Sequence, residues 1–230
     1  MRLIFVRHGE PNYRDDCLTE RGLEQAQACA VRLKDEGITR IYASPMGRAQ
    51  QTAKYTSEML GLPIQTLDYM HEINWGSRDG SELPLNGHPW ALSSLLIEEE
   101  DWNFKDDNWR SHPYFRGNSM LDYHDEIIEK FDKLLEQYGY ERRGTRYYCN
   151  FTTEETPAVF SHGGSSGCAI SHIINLPFPY FASYFEYWFT SVIVVEFPDK
   201  PGAYVYPRIR LFNDCAHAEK KESDKVEYKR

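Results

Sequence analysis

Arg7 and His8 are the side chains near the start of the chain whose types and position suit catalysis. They follow the apolar run Leu3-Ile4-Phe5-Val6 and precede Gly9. Neighbouring side chains on a strand point to opposite faces, so this pair converges only if the backbone turns, which Gly9 permits. A guanidinium offers a fork of donors suited to phosphate, and a neutral imidazole carries a nucleophilic nitrogen. The pair therefore predicts phosphoryl transfer to His8.

Two later segments place further nitrogen donors after short apolar runs. Arg48 lies in the segment SPMGRAQQTA, and His162 lies in the segment SHGG. Ligands of open α/β sheets bind beyond the carboxyl ends of the strands, so we expect both residues to join Arg7 and His8 in one crevice. The chain after His162 predicts a helix beginning near Gly163. Its N-terminal N–H groups would add phosphate donors and a favourable dipole.

These motifs together resemble the histidine phosphatase superfamily, also called phosphoglycerate mutase-like. The matching segments are RHGE near the N-terminus, SPxxRAxQTA after it and SHGG late in the chain, and the resemblance spans roughly residues 1–80 and 155–217. It implies that His8 becomes a phosphohistidine. It also implies that the phosphoryl oxygens are held by Arg7, Arg48 and His162.

The proton donor of this family is usually a glutamate in a segment of the form E-I-x-x-G. Glu72 matches that position in the segment EINWG, so the resemblance implies that Glu72 is the general acid. Two other carboxylates are weaker candidates. Glu10 lies beside the RHG motif, and Asp79 lies in the loop that follows Glu72.

The chemistry is consistent without the family name. Phosphoryl transfer needs neutralisation of the phosphoryl charge, an in-line nucleophile and a proton for the leaving alkoxide. The residues above fill these roles without a metal or another cofactor, and flanking guanidinium groups should lower the pKa of His8. We therefore predict a metal-independent phosphomonoester hydrolase that acts on a small phosphorylated metabolite.

A cofactor-dependent phosphoglycerate mutase-type phosphotransferase is the main alternative. A mutase must protect its phosphorylated intermediate from water and bind a carboxylate beside the phosphate. In the phosphoglycerate mutases, the segment after RHG typically continues with serine, tryptophan and asparagine, whereas here it reads Glu10-Pro11-Asn12-Tyr13-Arg14. This departure favours hydrolysis, and Asn12 stays a candidate for contact with phosphate.

Two remoter alternatives use the same sequence differently. The segment GGSSG fits the G-x-S-x-G pattern of a serine hydrolase with Ser165 as nucleophile, and Asp199 and His217 follow in the hydrolase order. That interpretation gives no function to Arg7, His8 or Arg48. A phosphate-binding protein without catalysis is the other alternative, and the presence of His8 and Glu72 speaks against it.

Composition favours one acidic domain. The chain has 230 residues and a net charge of -9, and its pI of about 5.4 disfavours nucleic acid or anionic membranes as partners. The 5 cysteines lack the spacing of a disulfide frame or metal centre. No apolar run approaches the length of a signal peptide or a membrane span. We expect a cytoplasmic enzyme, with homo-oligomerisation left open.

The alternation of strand and helix patterns predicts a three-layer α/β/α sandwich around a mostly parallel sheet, with a single domain at 1–218. The resemblance implies the same phosphoglycerate mutase-like fold. A charged tail, 219–230, is expected to fray. The predicted helices are Leu18–Lys34 with Thr19 as N-cap, Gly47–Leu60 and Leu121–Tyr138, and the predicted strands include Ile64–Leu67, Ser191–Phe197 and Tyr204–Leu211.

Residues 81–117 form an aromatic-rich insert between the acid loop and the next helix. Its rings are Trp90, Trp102, Phe104, Trp109, Tyr114 and Phe115. One interpretation is a helical insert that uses these rings as its own small core. The other is a lid over the phosphate site whose rings contact the organic part of the substrate. The lid interpretation offers a second anionic group contacts with Arg110, His112, Arg116 and Asn118.

Overall fold

The computed structural model describes residues 1–99 and 108–218, and strands and helices alternate along most of this part of the chain. The strands are β1 Arg2–Arg7, β2 Pro11–Asn12, β3 Cys17–Leu18, β4 Arg40–Ala43, β5 Ile64–Thr66, β6 Tyr140–Arg143, β7 Arg146–Cys149, β8 Pro157–Ser161, β9 Val192–Glu196, β10 Ala203–Val205 and β11 Arg208–Asp214. The α-helices are α1 Glu20–Leu33, α2 Gly47–Leu60, α3 Pro89–Glu98, α4 Met120–Gln137, α5 Gly163–Ile173 and α6 Phe178–Tyr184.

A six-stranded sheet in the order β11-β9-β1-β8-β4-β5 forms the centre of the fold. The pairs β1/β8, β8/β4 and β4/β5 are parallel, whereas β9 runs antiparallel to both of its neighbours. The predicted mostly parallel sheet is confirmed, with β9 as the reversed strand. The carboxyl ends of β1, β4 and β8 therefore lie along one edge of the sheet.

Two apolar cores lie on opposite faces of this sheet, because successive strand residues point to opposite sides. On β1, Leu3 and Phe5 pack in the core that contains α4 and α5, whereas Ile4 and Val6 pack in the core that contains α1 and α2. The three-layer α/β/α sandwich predicted from the sequence is confirmed.

The predicted single strand Tyr204–Leu211 is wrong. The chain forms β10, breaks at Tyr206 and Pro207, and resumes as β11. Proline has no N–H for a strand ladder, which explains the break. Only β11 joins the central sheet, while β10 pairs with β7 in a separate three-stranded sheet, β10-β7-β6, that the sequence analysis did not predict.

The helix boundaries follow the predicted signals closely. The Thr19 hydroxyl accepts a hydrogen bond from the N–H of Gly22 at 3.0 Å, as expected of an N-cap. α2 ends at Gly61, whose φ of 67° is the left-handed conformation that glycine tolerates. Gly22 has a second role, since a Cβ there would lie 2.2 Å from the carbonyl oxygen of Glu10. The absence of a side chain lets the loop after His8 pack on α1.

Trp109 and Phe115 of the insert belong to the protein core. Their rings meet edge to face at 5.1 Å, and Trp109 is only 1% exposed. They share this core with Leu3 and Phe5 of β1 and with α4 and α5, so these two rings form neither a separate small core nor a substrate-facing lid. Trp102, Phe104 and the predicted tail at 219–230 lie outside the described residues.

The polar residues proposed for a lid have partners inside the insert and on α4. Arg110 pairs with Asp125, and His112 bonds to Glu99 at 3.0 Å. The buried Asn118 amide donates to the carbonyl of Gly87 and accepts from other backbone N–H groups. Arg116 is exposed. Three of the four residues therefore serve the structure of the insert.

Within residues 1–99 and 108–218, no helix is both long enough and apolar enough to cross a membrane.

Replacement of Trp109 by alanine should act on stability rather than on substrate binding. Removing this ring leaves a cavity between Phe115 and Phe178, and we expect the free energy of unfolding to fall by about 3–5 kcal/mol. Urea unfolding followed by circular dichroism measures this loss. The partly exposed Trp90 is the matched control, and Trp90→Ala should lower the free energy of unfolding by less than Trp109→Ala does. Equal stability of Trp109→Ala and the wild type would contradict the core assignment.

Candidate active site

Four predicted residues meet where β1, β4 and β8 end. Arg7 closes β1 beside Ser161 of β8, and His162 follows that strand directly. The ring centroids of His8 and His162 are 5.1 Å apart. Arg48 lies in the first turn of α2, after β4, and its charge acts on both imidazoles. The sheet topology thus brings together residues that are far apart in sequence.

The orientation of His8 leaves one ring nitrogen free for chemistry. Its Nδ1 lies 2.7 Å from the carbonyl oxygen of Gly9, which can only accept a hydrogen bond. Nδ1 therefore carries the proton, and Nε2 keeps its lone pair. The backbone N–H of His8 donates to Ser161 at 2.9 Å and so fixes the chain at the end of the strand.

The environment of His8 keeps its ring neutral. The residue is 1% exposed, and burial, followed by the charge of Arg7 and then more weakly that of Arg48, lowers its pKa to about 3. The hydrogen bond to Gly9 acts in the opposite direction. A buried imidazole beside guanidinium groups cannot readily take up a proton, so it remains a nucleophile at neutral pH.

Arg7 is oriented by the chain that precedes β9. One terminal nitrogen donates to the carbonyl of Tyr187 at 2.6 Å, and the guanidinium lies 4.5 Å from the centre of the Phe189 ring. The Tyr187 hydroxyl in turn donates to the carbonyl of Gly163. These contacts join β1, α5 and the segment before β9 around one guanidinium.

Ser44 lies against one ring nitrogen of His162. The Ser44 oxygen accepts from the N–H of Met46 at 3.2 Å and lies 2.7 Å from His162 Nε2. When the Ser44 hydroxyl donates to Nε2, Nδ1 carries the ring hydrogen and can donate it to an anion. Burial lowers the pKa of His162 below its usual value, and so, to a smaller extent, do the charge that His8 would carry if protonated and the charges of Arg48 and Arg7. The His162 ring is accordingly neutral.

Three buried nitrogen donors at this point lack a partner in the part of the chain that the structure describes. They are Nε of Arg7, Nε of Arg48 and Nδ1 of His162. A buried donor without an acceptor costs free energy, and such groups call for an explanation. The residues that carry these atoms lie around His8: the His162 ring is 5.1 Å from it, and the charges of Arg7 and Arg48 act on it. The three nitrogens are therefore candidate donors to an oxyanion such as a phosphoryl group.

Glu72 lies at the N-terminus of α5. Its Oε1 accepts hydrogen bonds from the N–H groups of Ile73, Gly164 and Ser165 at 3.0, 2.9 and 3.1 Å. A Cβ on Gly163 would be 3.8 Å from Arg7 Cζ and 4.0 Å from Glu72 Oε2, so the second carboxyl oxygen lies on the side of Arg7. Burial raises the pKa of Glu72, although the N–H donors and Arg7 oppose this.

Glycine at position 164 is required for this arrangement. A Cβ there would lie 2.4 Å from Ile73 Cγ1 and 2.6 Å from Glu72 Oε1. The helix N-terminus was expected to offer its donors to phosphate from Gly163 onward. Two of those donors, the N–H groups of Gly164 and Ser165, instead bind Glu72. The helix thus positions the candidate acid.

The other carboxylate candidates lie in different surroundings. Glu10 accepts from the Thr19 hydroxyl at 2.9 Å and pairs with Arg21 at 3.4 Å, which ties its loop to α1. Asp79 closes an exposed turn. Asn12, predicted to bind phosphate, donates to Asp15 at 2.8 Å in a local turn. Of the three carboxylate candidates, Glu72 is the one placed beside Arg7.

The serine hydrolase alternative is wrong, because its three residues do not meet. The Ser165 hydroxyl bonds to Ser161 at 2.7 Å and to a backbone carbonyl. His217 bonds to Thr190 at 3.2 Å. Asp199 follows the end of β9 that pairs with Arg2, at the opposite end of β1 from the site.

Four residues around the site were not predicted from the sequence. Ser44 is the first residue of the SPxxRA motif, so the motif itself could have indicated it. Asp16, which pairs with Arg48 at 2.5 Å, lies in an acidic loop with no distinctive pattern. Tyr187 and Phe189 reach Arg7 from 180 residues away, a contact that depends on β9 pairing with β1.

Comparisons with known proteins agree with this geometry. The profile of the histidine phosphatase superfamily (branch 1) matches residues 3–208. A curated protein of Yersinia pestis (strain Pestoides F), "Probable phosphoglycerate mutase GpmB", is 30% identical over 187 residues, which cover 77% of this chain and 76% of that protein.

Solved structures share the fold at lower identity. The α-ribazole phosphatase of Shigella flexneri has a TM-score of 0.62 at 20% identity and covers 96% of this chain and 100% of its own. A mycobacterial glucosyl-3-phosphoglycerate phosphatase with inorganic phosphate has a TM-score of 0.64 at 19% identity, covering 95% and 99%. These likenesses concern the fold.

The lowered pKa of His8 predicts that the free energy of unfolding depends on pH. The unfolded imidazole titrates near 6.5 and the folded one near 3, so below pH 6.5 the unfolded state binds a proton that the folded state does not. Above pH 6.5, His8 does not make the free energy of unfolding depend on pH. Between pH 6.5 and 3, it lowers the free energy of unfolding by about 1.4 kcal/mol for each unit that the pH drops.

Nuclear magnetic resonance titration of the ligand-free protein measures this directly, and the His8 ring signals should stay those of a neutral imidazole from pH 8 to 5. In urea unfolding, His8→Asn should lose less stability than the wild type between pH 7 and 5. A titration midpoint of His8 near 6.5 would contradict the proposed protonation state.

Proposed function

Because the chain belongs to branch 1 of the histidine phosphatase superfamily, we propose that it hydrolyses phosphomonoesters through a phosphohistidine on His8. The observation that carries this proposal is a set of three buried nitrogens of Arg7, Arg48 and His162 without partners among the described residues, beside a neutral His8 whose Nε2 keeps its lone pair. Donors aimed at a developing oxyanion in a site of low polarity stabilise it strongly.

In the first step, the lone pair of His8 Nε2 attacks phosphorus. The bond from phosphorus to the ester oxygen breaks, and the proton of Glu72 passes to the leaving alkoxide. The three phosphoryl oxygens accept hydrogen bonds from the unpartnered nitrogens of Arg7, Arg48 and His162. Burial raises the pKa of Glu72, which is the direction that a general acid requires.

In the second step, a water molecule attacks the phosphohistidine. Glu72, now a carboxylate, takes a proton from the water, and the phosphorus–nitrogen bond breaks. Its electron pair returns to His8 Nε2, and phosphate leaves. The hydrogen bond from Nδ1 to the Gly9 carbonyl supports the positive charge on the ring while the phosphohistidine exists.

Hydrolysis is supported over phosphotransfer by the charges around the site. The cations that depress the pKa of His8 are Arg7 and Arg48, and Arg48 is already paired with Asp16. A mutase needs further positive charge for a carboxylate. The relative named a probable phosphoglycerate mutase keeps phosphotransfer as the second candidate.

We propose a small phosphorylated metabolite in the cytoplasm as the substrate, since the net charge of -9 disfavours polyanionic partners.

His8→Ala should abolish hydrolysis of p-nitrophenyl phosphate. Loss of the nucleophile removes the covalent route, and we expect kcat to fall by at least about a thousand-fold. The assay is run with excess EDTA, because the proposal involves no metal ion. Acid quenching of the wild type with radiolabelled phosphoester should trap an acid-labile phosphoprotein that His8→Ala cannot form.

His172→Gln is the matched histidine control, because His172 bonds to Asp132 at the far end of α5 from Gly163. It should keep near-wild-type activity. Turnover by His8→Ala would contradict the assignment of His8 as the nucleophile. Loss of wild-type activity in EDTA would contradict the proposal that no metal ion is needed. Phosphate transfer between phosphoglycerates in preference to water would favour the mutase.

Glu72→Gln should show a dependence on the leaving group. An alkyl phosphate needs a proton on its departing oxygen, whereas p-nitrophenolate leaves without one. We expect kcat to fall by about a hundred-fold or more for the alkyl ester and by much less for p-nitrophenyl phosphate. The comparison uses steady-state rates on both esters. An equal loss on both would show that Glu72 does not donate the proton.

A further inference from the structure

Arg48 already has an anionic partner in the structure, Asp16, and the reaction steps above give this carboxylate no role. Asp16 Oδ1 accepts from Arg48 Nη1 at 2.5 Å, and Asp16 Oδ2 accepts from the N–H of Gly47 at 2.6 Å. Both donors lie in the first turn of α2, where an anion is favoured. The carboxylate of Asp16 therefore occupies two donors at this helix N-terminus that could otherwise contact an anion.

The chain is built to hold Asp16 in this place. Asp16 has a φ of 48°, a left-handed conformation that is uncommon outside glycine but tolerated by aspartate. Its backbone oxygen would lie 2.3 Å from a Cβ on Gly47, so glycine is needed for the close approach. Tyr13 from the same loop lies over the Arg48 guanidinium at 5.5 Å. Loop and helix N-terminus thus enclose Arg48 together.

The division of the Arg48 donors is the key observation. Nη1 donates to Asp16 and Nη2 to the sulfur of Met46, whereas Nε is buried and has no partner within residues 1–99 and 108–218. Arg48 is 4% exposed, while the side chain of Asp16 is 39% exposed. Asp16 and Met46 together fix the orientation of the guanidinium, and the Asp16 carboxylate cancels part of its positive charge.

We propose that Asp16 is a positioning residue that limits the affinity of the site for inorganic phosphate and so promotes release of the product. The carboxylate repels a phosphate bound at Arg48, because two anions near one guanidinium compete for its charge. A hydrolase benefits from such release in every turnover. This inference rests on the proposed function, since it assigns the free donors to phosphate.

Asp16→Asn is the test variant, because the amide oxygen can still accept from Gly47 while the charge is lost. Asp16→Ala removes both the charge and the acceptor. We expect both variants to bind orthophosphate about ten-fold more tightly than the wild type, since a like charge close to the ligand is removed. Calorimetric titration with orthophosphate measures this without turnover. Competitive inhibition of p-nitrophenyl phosphate hydrolysis supplies a second value.

Asp35→Asn is the charge-matched control, since Asp35 is 86% exposed just after the end of α1. It should bind orthophosphate like the wild type. If Asp16→Asn binds no more tightly than the wild type while Asp16→Ala weakens binding, Asp16 is only an anchor for α2 and the inference is overturned. If the wild type neither binds orthophosphate nor hydrolyses esters, the proposed function fails with it. Wild-type binding with no change in Asp16→Asn overturns the inference alone.

Discussion

The site depends on keeping two buried imidazoles neutral beside two guanidinium groups. Burial and the charges of Arg7 and Arg48 hold the pKa values of His8 and His162 well below their ordinary range. One nitrogen of each ring has a fixed partner, the Gly9 carbonyl for His8 and the Ser44 hydroxyl for His162. This places a nucleophile and donors of fixed direction around one position, before any substrate binds.

Maintaining such a site requires the backbone to pack unusually closely. The loop after β1 lies on α1, and the loop bearing Asp16 lies on α2, each against a glycine where a Cβ would meet a carbonyl oxygen. Gly164 allows the carboxyl of Glu72 to reach the N-terminus of α5 in the same way. Three helices are thereby held at fixed distances from the ends of the strands. The rigidity of the catalytic arrangement comes from these contacts.

The insert contributes to the same framework. Trp109 is part of the core beside α6, and the amide of Asn118 connects the insert to the loop after Glu72 through the N–H of Gly76. The helices α3 and α6 extend the core on the face of the sheet opposite α1 and α2. The insert therefore stabilises the segment that carries the candidate acid, whatever part its more exposed rings play in substrate choice.

The sequence by itself determined the central elements of the fold and the residue types that meet at the site. Short motifs place Arg7, His8, Arg48 and His162 within a few residues after apolar runs, and parallel strands bring their carboxyl ends to one edge. Helix caps and turn glycines, which act within a few residues, were also readable from the local sequence.

The tertiary structure alone decided what depends on distant contacts. No local pattern shows that Tyr187 orients Arg7, that Asp16 pairs with Arg48, or that the helix donors after Gly163 bind Glu72 instead of remaining free. The break at Pro207 likewise sends the end of the chain into two sheets, because strand pairing is chosen by partners elsewhere in the fold. Hydrogen bonds between residues far apart in sequence have no periodicity, and so only the folded chain reveals them.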